Sequence, residues 1–275
     1  MDTGETTLIL LFHLFFKSFV MLAAKPSSTS IIFSSDLNAL GNVRHAFFDR
    51  SWGREGFLPL RSEPDFAPWR KRIASFFEVS PQNVLCCRQI HSTTVVPINE
   101  PWPFSNAPDA DGIVTNKRGL VLAVLTADCV PVLLADSKTG VIGAAHAGWR
   151  GALGGVLENA LRVMEESGAY RENIVAALGP CIAQASYEVD EAFSLPFLRK
   201  RPENAHFFKP FIKNGKYLFD LPAYVAEQLR LLGVGKISVC SEDTYTNPER
   251  FFSHRYSTHR NETQKGNLIS AIILQ

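Results

Sequence analysis

The sequence predicts an α+β fold, with mixed β-sheets flanked by helices in a single domain. Three observations support this prediction. The chain has 275 residues, enough for a sizeable core, and is 46% hydrophobic and 20% charged, which is ordinary for a globular protein. Its strand-like segments are almost wholly apolar, as is typical of strands covered on both faces. Strands and helices do not alternate strictly, so a doubly wound sheet is less favoured.

The candidate strands are short runs rich in valine, isoleucine, leucine and alanine. They are HAFFDR (45–50), GLVLAVLTADC (119–129), GVIGAAHAG (140–148), NIVAALGPC (173–181) and KISVCSED (236–243). Three other segments have apolar residues at helical spacing and predict helices over 67–80, 151–167 and 220–233. In the last of these, Asp220 is the expected N-cap and Gly233 the expected stop.

The first thirty residues stand apart from the domain predicted over 31–275. Residues 7–24 are apolar, but an acidic flank precedes them and Lys17 interrupts them, and both features disfavour a secretory signal. The run is also marginal in length for a membrane span. We interpret it as an extension that is not translated, with Met21 as the start. An anchor or signal and a packed segment are the alternatives, and 25–30 is the expected linker.

Composition disfavours several classes of function. The formal net charge is +1, so no basic surface for nucleic acid is expected. The phosphate-binding patterns G-x-G-x-x-G and G-x-x-x-x-G-K-[ST] do not occur, so nucleotide binding through such loops is not supported. The five cysteines form no C-x-x-C pair and indicate reduced thiols in a cytoplasmic protein. We expect no membrane partner for the domain, and a monomer or a weak homodimer.

Four polar clusters that interrupt the apolar segments are candidates for chemistry. They contain His91, Cys129, His146 and Cys181. Imidazole and thiolate both suit zinc, and the first three residues would leave a fourth coordination position open. Structural histidines and a buried thiol are the ordinary alternative, and on residue types alone it stays open. Cys181 is either a nucleophile with a histidine base or a packed thiol, and we favour the packed thiol.

Charged and aromatic residues near these clusters are candidates for substrate contacts. Arginine binds phosphate or carboxylate bidentately, although most arginines form structural or surface pairs. An aspartate beside such a cluster can orient a ligand histidine or move protons, and a tryptophan can stack on a flat ring. The candidates are Arg50, Arg150, Arg255, Asp111, Asp128 and Trp149.

Five segments occur in an order that resembles one known family. They are DADGIVTN (109–116), TADCVPVLLAD (126–136), AAHAGWRGALGGV (144–156), LGPCI (178–182) and YEV (187–189). Together they resemble the multicopper polyphenol oxidase or laccase-domain family, which is also known as a group of purine nucleoside phosphorylases. Some members carry the name peptidoglycan-editing factor. The similarity extends over roughly 43–274 and is most specific over 109–189.

The resemblance implies an α+β fold and a zinc ion held by His91, Cys129 and His146. It implies phosphorolysis of purine nucleosides such as adenosine, inosine, guanosine and methylthioadenosine, with adenosine deamination as a further activity. Purine nucleoside and phosphate would be the partners. Zinc is favoured over copper, because one His-Cys-His set does not build a multicopper cluster.

In this scheme the expected catalytic residues are Cys129, Asp128 and Arg50. The expected substrate-binding residues are Arg50, Arg255, Trp149 and Asp111.

The chain departs from the family pattern in three places. Ser92 stands where glycine is usual, 47–65 lacks an asparagine-bearing stretch, and Asn267 replaces arginine. We expect Ser92 and Asn267 to face substrate.

Two alternative functions remain. One is a cysteine-type hydrolase using Cys129 or Cys181, which would include an enzyme that edits a cell-wall precursor. The other is a metal-stabilised binding protein without turnover, which the changes in 47–65 and at Asn267 motivate.

Overall fold

The structure is a computed structural model that describes residues 31–55, 60–64, 67–211 and 215–275. The predicted N-terminal extension and linker lie outside the described residues. No helix within the described ranges combines the length and the apolar character needed to cross a membrane.

Strands and helices alternate irregularly along the described chain. The strands are β1 (Ile31–Ile32), β2 (Val43–Phe48), β3 (Arg54–Glu55), β4 (Val84–Leu85), β5 (Val95–Pro97), β6 (Gly112–Thr115), β7 (Val121–Thr126), β8 (Val130–Asp136), β9 (Val141–Ala147), β10 (Val175–Leu178), β11 (Glu188–Asp190), β12 (Phe208–Phe211), β13 (Lys216–Phe219), β14 (Lys236–Val239) and β15 (Gly266–Leu274). The helices are α1 (Ser35–Asn38), α2 (Pro68–Phe77), α3 (Trp149–Gly154), α4 (Val156–Glu166), α5 (Glu191–Lys200), α6 (Leu221–Leu231) and α7 (His254–His259).

The strands form two large mixed sheets and one small sheet. In the first sheet the order is β1-β2-β15-β7-β4, with β3 also paired to β15, and only β4 and β7 run parallel. In the second the order is β14-β10-β8-β9-β6-β5, with parallel pairs at both ends. The small antiparallel sheet is β11-β13-β12.

The two large sheets pack face to face between outer layers of helix. Phe47 and Ile272 of the first sheet lie in one apolar cluster with Leu133 and Ala144 of the second. Helix α2 covers the outer face of the first sheet, and α4 and α6 cover that of the second. The central strands of both large sheets are mostly apolar because both of their faces are covered, and the predicted α+β fold with mixed sheets is confirmed.

Most of the predicted elements are present, but the helix expected over 151–167 is wrong in its bounds. The chain forms two helices there, α3 and α4, which Gly155 separates at φ 109°. Glycine adopts this left-handed conformation without a steric penalty, so it can break the helix where another residue would be strained. The apolar pattern continues across the break and therefore does not reveal it.

Two long buried strands, β8 and β15, were not identified from the sequence. Pro131 lies within β8, and proline within a run normally argues against a strand. Here it pairs opposite His146, and its carbonyl accepts a hydrogen bond from the Gly179 N–H at 3.0 Å. The carbonyl of Pro131 is thus paired although the residue has no N–H to donate.

The buried His45 predicts an acid-sensitive step in stability. Its Nε2 accepts a hydrogen bond from the Ser34 N–H at 2.8 Å, and burial lowers its pKa to about 4. An unfolded histidine has a pKa of about 6.5, so only the unfolded chain gains a proton as pH falls from about 6.5 to about 4. This one group should remove on the order of 3 kcal/mol of stability across that window.

Urea unfolding at about pH 7 and about pH 5 measures this effect. The His45→Gln variant, which keeps a hydrogen-bond acceptor, should lose less stability between the two conditions than the unmodified protein. His206→Gln, at an exposed histidine, is the control and should leave the pH dependence unchanged. An equal dependence in all three proteins would contradict the assignment.

Candidate active site and metal centre

The structure brings His91, Cys129 and His146 together as a group that can hold a metal. Their ligand atoms all lie within 4.8 Å of one another, and Cys129 Sγ is 3.8 Å from His91 Nε2. The two imidazole rings are nearly perpendicular, with centroids 4.8 Å apart. In a tetrahedral zinc site, the usual Zn–S and Zn–N bond lengths separate sulfur from nitrogen by ~3.6 Å. The donor set and its spacing therefore fit a metal with one position left open.

These three residues meet where the chain passes between the two large sheets. His91 lies on the segment from β4 of the first sheet to β5 of the second, and Cys129 on the turn from β7 to β8. His146 is near the end of β9 in the second sheet. Two crossings and one strand end thus meet at one edge of the sandwich.

The carboxylate of Asp111 holds the backbone around His91. It accepts hydrogen bonds from the N–H groups of Ile90, His91 and Ser92 at 3.2, 3.0 and 2.6 Å. Successive N–H groups that converge in this way form an anion-binding nest. His91 has a left-handed φ of 59°, and the bound carboxylate stabilises that conformation. The ligand is therefore positioned by its backbone before any metal arrives.

Asp111 also fixes the second histidine. Its Oδ1 lies 2.8 Å from His146 Nδ1, so Nδ1 donates and Nε2 is left for the metal. Burial would raise the pKa of Asp111, but hydrogen bonds from His146 and Ser92 lower it to about 2. Asp111 is buried and lies outside the residues that line the cavity described below, so the expectation that it contacts substrate does not fit its position.

The departure at Ser92 belongs to the same arrangement. Its Oγ donates to Asp111 at 2.8 Å, in addition to the bond from its N–H. Ser92 does not line the cavity and its Oγ faces Asp111, so the expectation that it faces substrate does not fit its position. The hydroxyl adds one more hydrogen bond to the carboxylate that positions both histidines.

Without a metal, Cys129 and His146 shift each other's pKa strongly. Burial opposes ionisation of Cys129, but the charge and hydrogen bonds of His146 and His91 outweigh it and lower the thiol pKa to about 6. Burial also disfavours a charged His146, but the Cys129 thiolate and Asp111 raise the pKa of that ring to about 9. The thiolate is the form that binds metals, so the site is prepared for one near neutral pH.

Gly148, two residues after the ligand His146, lies against the other two ligands. A Cβ at this position would lie 2.9 Å from His91 Cδ2 and 3.0 Å from Cys129 Sγ. Without a side chain at Gly148, the backbone turns from β9 into α3 in close contact with both groups. The glycine is thus part of the wall of the metal-binding group.

The group opens onto a cavity of about 720 Å³. Of the residues predicted to contact substrate or act in catalysis, Asp128, Trp149 and Arg255 line it beside the metal-binding group. Its aromatic walls are Trp149 and Tyr187. Asn267 also lines it, as predicted, and accepts a hydrogen bond from Arg54 at 3.4 Å.

Four arginines line this cavity, and two of them are paired with carboxylates. Arg54 pairs with Glu63 and Arg88 with Asp109. The other two, Arg150 and Arg255, form no ion pair within the described ranges. Two of the arginines that line the cavity are therefore without an ion-pair partner among the described residues.

Both of these arginines pack against aromatic rings. The Arg150 guanidinium is 4.4 Å from the centroid of the Trp149 ring, and the Arg255 guanidinium is 5.0 Å from that of Tyr187. Arg255 also donates to the Glu188 carbonyl at 2.6 Å. Stacking holds each cation in place while leaving donors for an anionic ligand.

Arg50 is not placed at the cavity. Its guanidinium donates to the Pro248 carbonyl and lies 4.7 Å from the centroid of the Phe252 ring. The expectation that it binds phosphate does not fit this position. Sequence alone could not separate Arg50 from Arg150, because both lie beside aromatic and small residues and only the folded chain shows which faces the cavity.

Asp128 joins the cavity wall to helix α7. Its carboxylate accepts hydrogen bonds from Thr244 Oγ1 at 2.6 Å and from the Arg255 N–H at 2.7 Å. Burial raises the pKa of Asp128, although these hydrogen bonds oppose the shift. Both oxygens are engaged, so the carboxylate positions Arg255.

The other residues that sequence reasoning missed are Arg54, Arg88, His254 and Gln264, which also line the cavity. Arg54 lies in the segment 47–65, and the difference of this segment from the family pattern was the signal that could have identified it. Cys181 is buried, and burial raises its pKa well above the usual range, which supports the packed-thiol interpretation.

Replacing Asp111 with asparagine should weaken metal binding. The amide cannot accept from three N–H groups and His146 at once, so both ligands lose their orientation. We expect metal affinity to fall about 10–100-fold, the usual effect of such outer contacts. Competitive titration with a chelator measures it, and Asp190→Asn, at an exposed carboxylate, is the control. Unchanged affinity in Asp111→Asn would show that the carboxylate does not position the ligands.

Comparison with known proteins identifies the family of the chain. The model of the family described as multi-copper polyphenol oxidoreductase laccase matches residues 65–275. Purine nucleoside phosphorylases of Rickettsia conorii and Rickettsia prowazekii are 39% and 42% identical to this chain. These alignments cover 86% and 85% of this chain and 98% and 97% of the relatives.

Solved structures share the fold. A Neisseria meningitidis protein of the DUF152 family aligns with a TM-score of 0.71 at 31% identity, over 86% of this chain and 95% of its own. A hypothetical protein of Bacillus licheniformis aligns with a TM-score of 0.76 at 26% identity, over 91% and 98%. By sequence and by fold, the chain belongs to the multi-copper polyphenol oxidoreductase laccase family.

Proposed function

We propose that this protein is a zinc-dependent purine nucleoside phosphorylase that acts on adenosine, inosine, guanosine and methylthioadenosine. The observation that carries the proposal is the group of His91, Cys129 and His146 on a cavity where Arg150 and Arg255 have no ion-pair partner within the described ranges. The names of the Rickettsia relatives supply the reaction class. Two imidazoles and one thiolate suit zinc, whereas a multicopper cluster needs more ligands than this set provides.

Zinc held by this group would supply positive charge and an open coordination position that would orient phosphate toward the anomeric carbon. The chain's own residues would bind and orient the reactants. Arg150 and Arg255 would hold phosphate, since two guanidinium groups match its charge and its oxygens. Asp128 would keep Arg255 in place through the backbone at the start of α7. Trp149 and Tyr187 would pack against the nucleoside.

Adenosine deamination is the second activity that we propose for the same site, because an open position on a zinc suits attack by water as well as by phosphate. A cytoplasmic location and a monomeric or weakly dimeric state remain predictions.

Metal analysis and turnover on one preparation test the proposal. We expect nearly one zinc per chain and release of hypoxanthine from inosine that requires phosphate and yields ribose 1-phosphate. Adenosine supplied without phosphate would yield inosine if the deaminase activity is present. Zinc without turnover on any purine nucleoside would overturn the enzymatic proposal and favour the binding-protein alternative.

A cysteine-type hydrolase is the second candidate, and the lowered pKa of Cys129 favours it. The thiol lies 3.8 Å from His91 Nε2, which is close to the spacing of a nucleophile and its base. This candidate predicts that alkylating one thiol abolishes activity in metal-free protein. If activity instead requires the metal and disappears with it, the hydrolase is excluded.

A further inference from the structure

His254 is a titratable side chain on the cavity that the proposed function leaves unused. It is the first residue of α7, its ring is exposed, and it lines the cavity together with the metal-binding group. Its Nδ1 lies 3.0 Å from Gln264 Oε1. Among the described residues, Gln264 alone is hydrogen-bonded to the ring.

The contacts of Gln264 determine which ring nitrogen of His254 carries the hydrogen. Gln264 Nε2 donates to the Gly266 carbonyl at 2.8 Å, and a carbonyl oxygen can only accept. The amide orientation is thereby fixed, and Oε1 faces His254. An amide oxygen also only accepts, so Nδ1 must be the donor. Nε2 is then the ring nitrogen without a protein hydrogen-bond partner among the described residues.

We propose that His254 is a catalytic residue, the general acid that protonates the purine base as it leaves. The inference rests on the proposed phosphorolysis. Gln264 is the corresponding positioning residue, as the asparagine is for the histidine of papain-like proteases. The proposal also gives a role to the histidine of the segment FFSHR (251–255), which was not selected as a candidate from the sequence.

The proton and electron balance of the step is complete. A phosphate oxygen forms a bond to the anomeric carbon C1′, the bond from C1′ to purine N9 breaks, and its electron pair goes to the purine. The proton on His254 Nε2 moves to purine N7, so the base leaves neutral. The neutral ring then regains a proton from solvent or from the next dihydrogen phosphate ion.

Other titratable groups on the cavity are less suited to this transfer. The Asp128 oxygens already accept hydrogen bonds from Thr244 and Arg255. Burial raises the pKa of Tyr187 far above neutrality. Within the described part of the cavity wall, and apart from the metal-binding group, His254 is the imidazole whose second nitrogen has no protein partner.

A matched pair of substrates tests the proposal. Guanosine needs a proton on its leaving base, whereas 7-methylguanosine is already positively charged at the methylated N7 and leaves as a neutral base without one. In His254→Gln we expect phosphorolysis of guanosine to fall about 100-fold, which is within the usual range for acid–base groups. Phosphorolysis of 7-methylguanosine should change by less than about threefold, since it bypasses the same proton transfer.

Variants at Gln264 separate positioning from structural damage. Gln264→Leu should lose guanosine cleavage about 10-fold and spare 7-methylguanosine, since the ring remains but is no longer oriented. Gln264→Glu keeps an acceptor for His254 Nδ1 but loses the donor to the Gly266 carbonyl, so it should lose less guanosine cleavage than Gln264→Leu. His206→Gln, at an exposed histidine away from the cavity, is the control for both substrates. Zinc content and circular dichroism verify that each variant is folded and loaded.

Equal losses on both substrates in His254→Gln would overturn the proposal, because they would indicate a structural or binding role. No loss on either substrate would also overturn it. Failure of the proposed function is distinct, because the unmodified protein would then cleave neither nucleoside.

Discussion

The Cys129→Ala variant should purify without its metal and without phosphorolytic activity. The Cys129 thiolate is the one anionic donor of the group, and its removal leaves only the imidazoles of His91 and His146. Even outer contacts change metal affinity about 10–100-fold, so loss of a direct ligand should exceed ~100-fold. Turnover should fall in proportion to metal occupancy. Metal analysis of the purified variant and phosphate-dependent release of base from inosine measure the two effects.

Cys240→Ala is the matched control for this change. Cys240 is also a partly buried free thiol, and it lies outside the residues that line the cavity. It should keep both metal and activity. If Cys129→Ala retained its zinc yet lost all activity, the cysteine would act as a nucleophile, and the zinc assignment would be wrong.

Gly148→Ala should weaken metal binding without changing the fold. The backbone of Gly148 has φ −69°, which alanine adopts freely, so the expected effect is purely steric. The added Cβ would lie within 3.0 Å of both His91 Cδ2 and Cys129 Sγ, and one of these groups must move. We expect metal affinity to fall about 10–100-fold, as for other displacements of the ligands.

The stability of the metal-free variant should fall by about 1–3 kcal/mol, as for an overpacked site. Gly41→Ala is the control, since a Cβ there meets no atom within 4 Å. Chelator competition and urea unfolding of metal-free protein measure the two effects separately. A Gly148→Ala variant with unchanged affinity would mean that the metal-binding group tolerates a shift of its ligands.

The sequence predicts the metal-binding group well and its surroundings less well. Residue types suggest His91, Cys129 and His146 as possible donors but leave structural roles open, and the family resemblance is what groups them as a metal site. Orientation of a ligand histidine by Asp111 or Asp128 can be suggested from the sequence, but the hold of Asp111 on the His91 backbone cannot, because it depends on the left-handed backbone that brings three N–H groups to one carboxylate. A backbone conformation of this kind leaves no pattern in side-chain types.

The same reasoning applies to the fold. Apolar runs identify strands such as β7 and β9, because each is buried on both faces. The order of the strands in each sheet depends on the connections between them. Apolar composition is the same for every possible order, so it does not predict the order. Single residues also mislead the prediction. Gly155 ends a helix although the apolar pattern continues, and Pro131 lies inside a strand.

The crossings that carry His91 and Cys129 have a thermodynamic consequence. In the unfolded chain these ligands are far apart, so a metal bound to all three residues stabilises only the native state. Each tenfold rise in free metal above the dissociation constant should then add about 1.4 kcal/mol to the free energy of unfolding. The unfolding temperature therefore reports metal affinity directly, even for variants that have no measurable turnover.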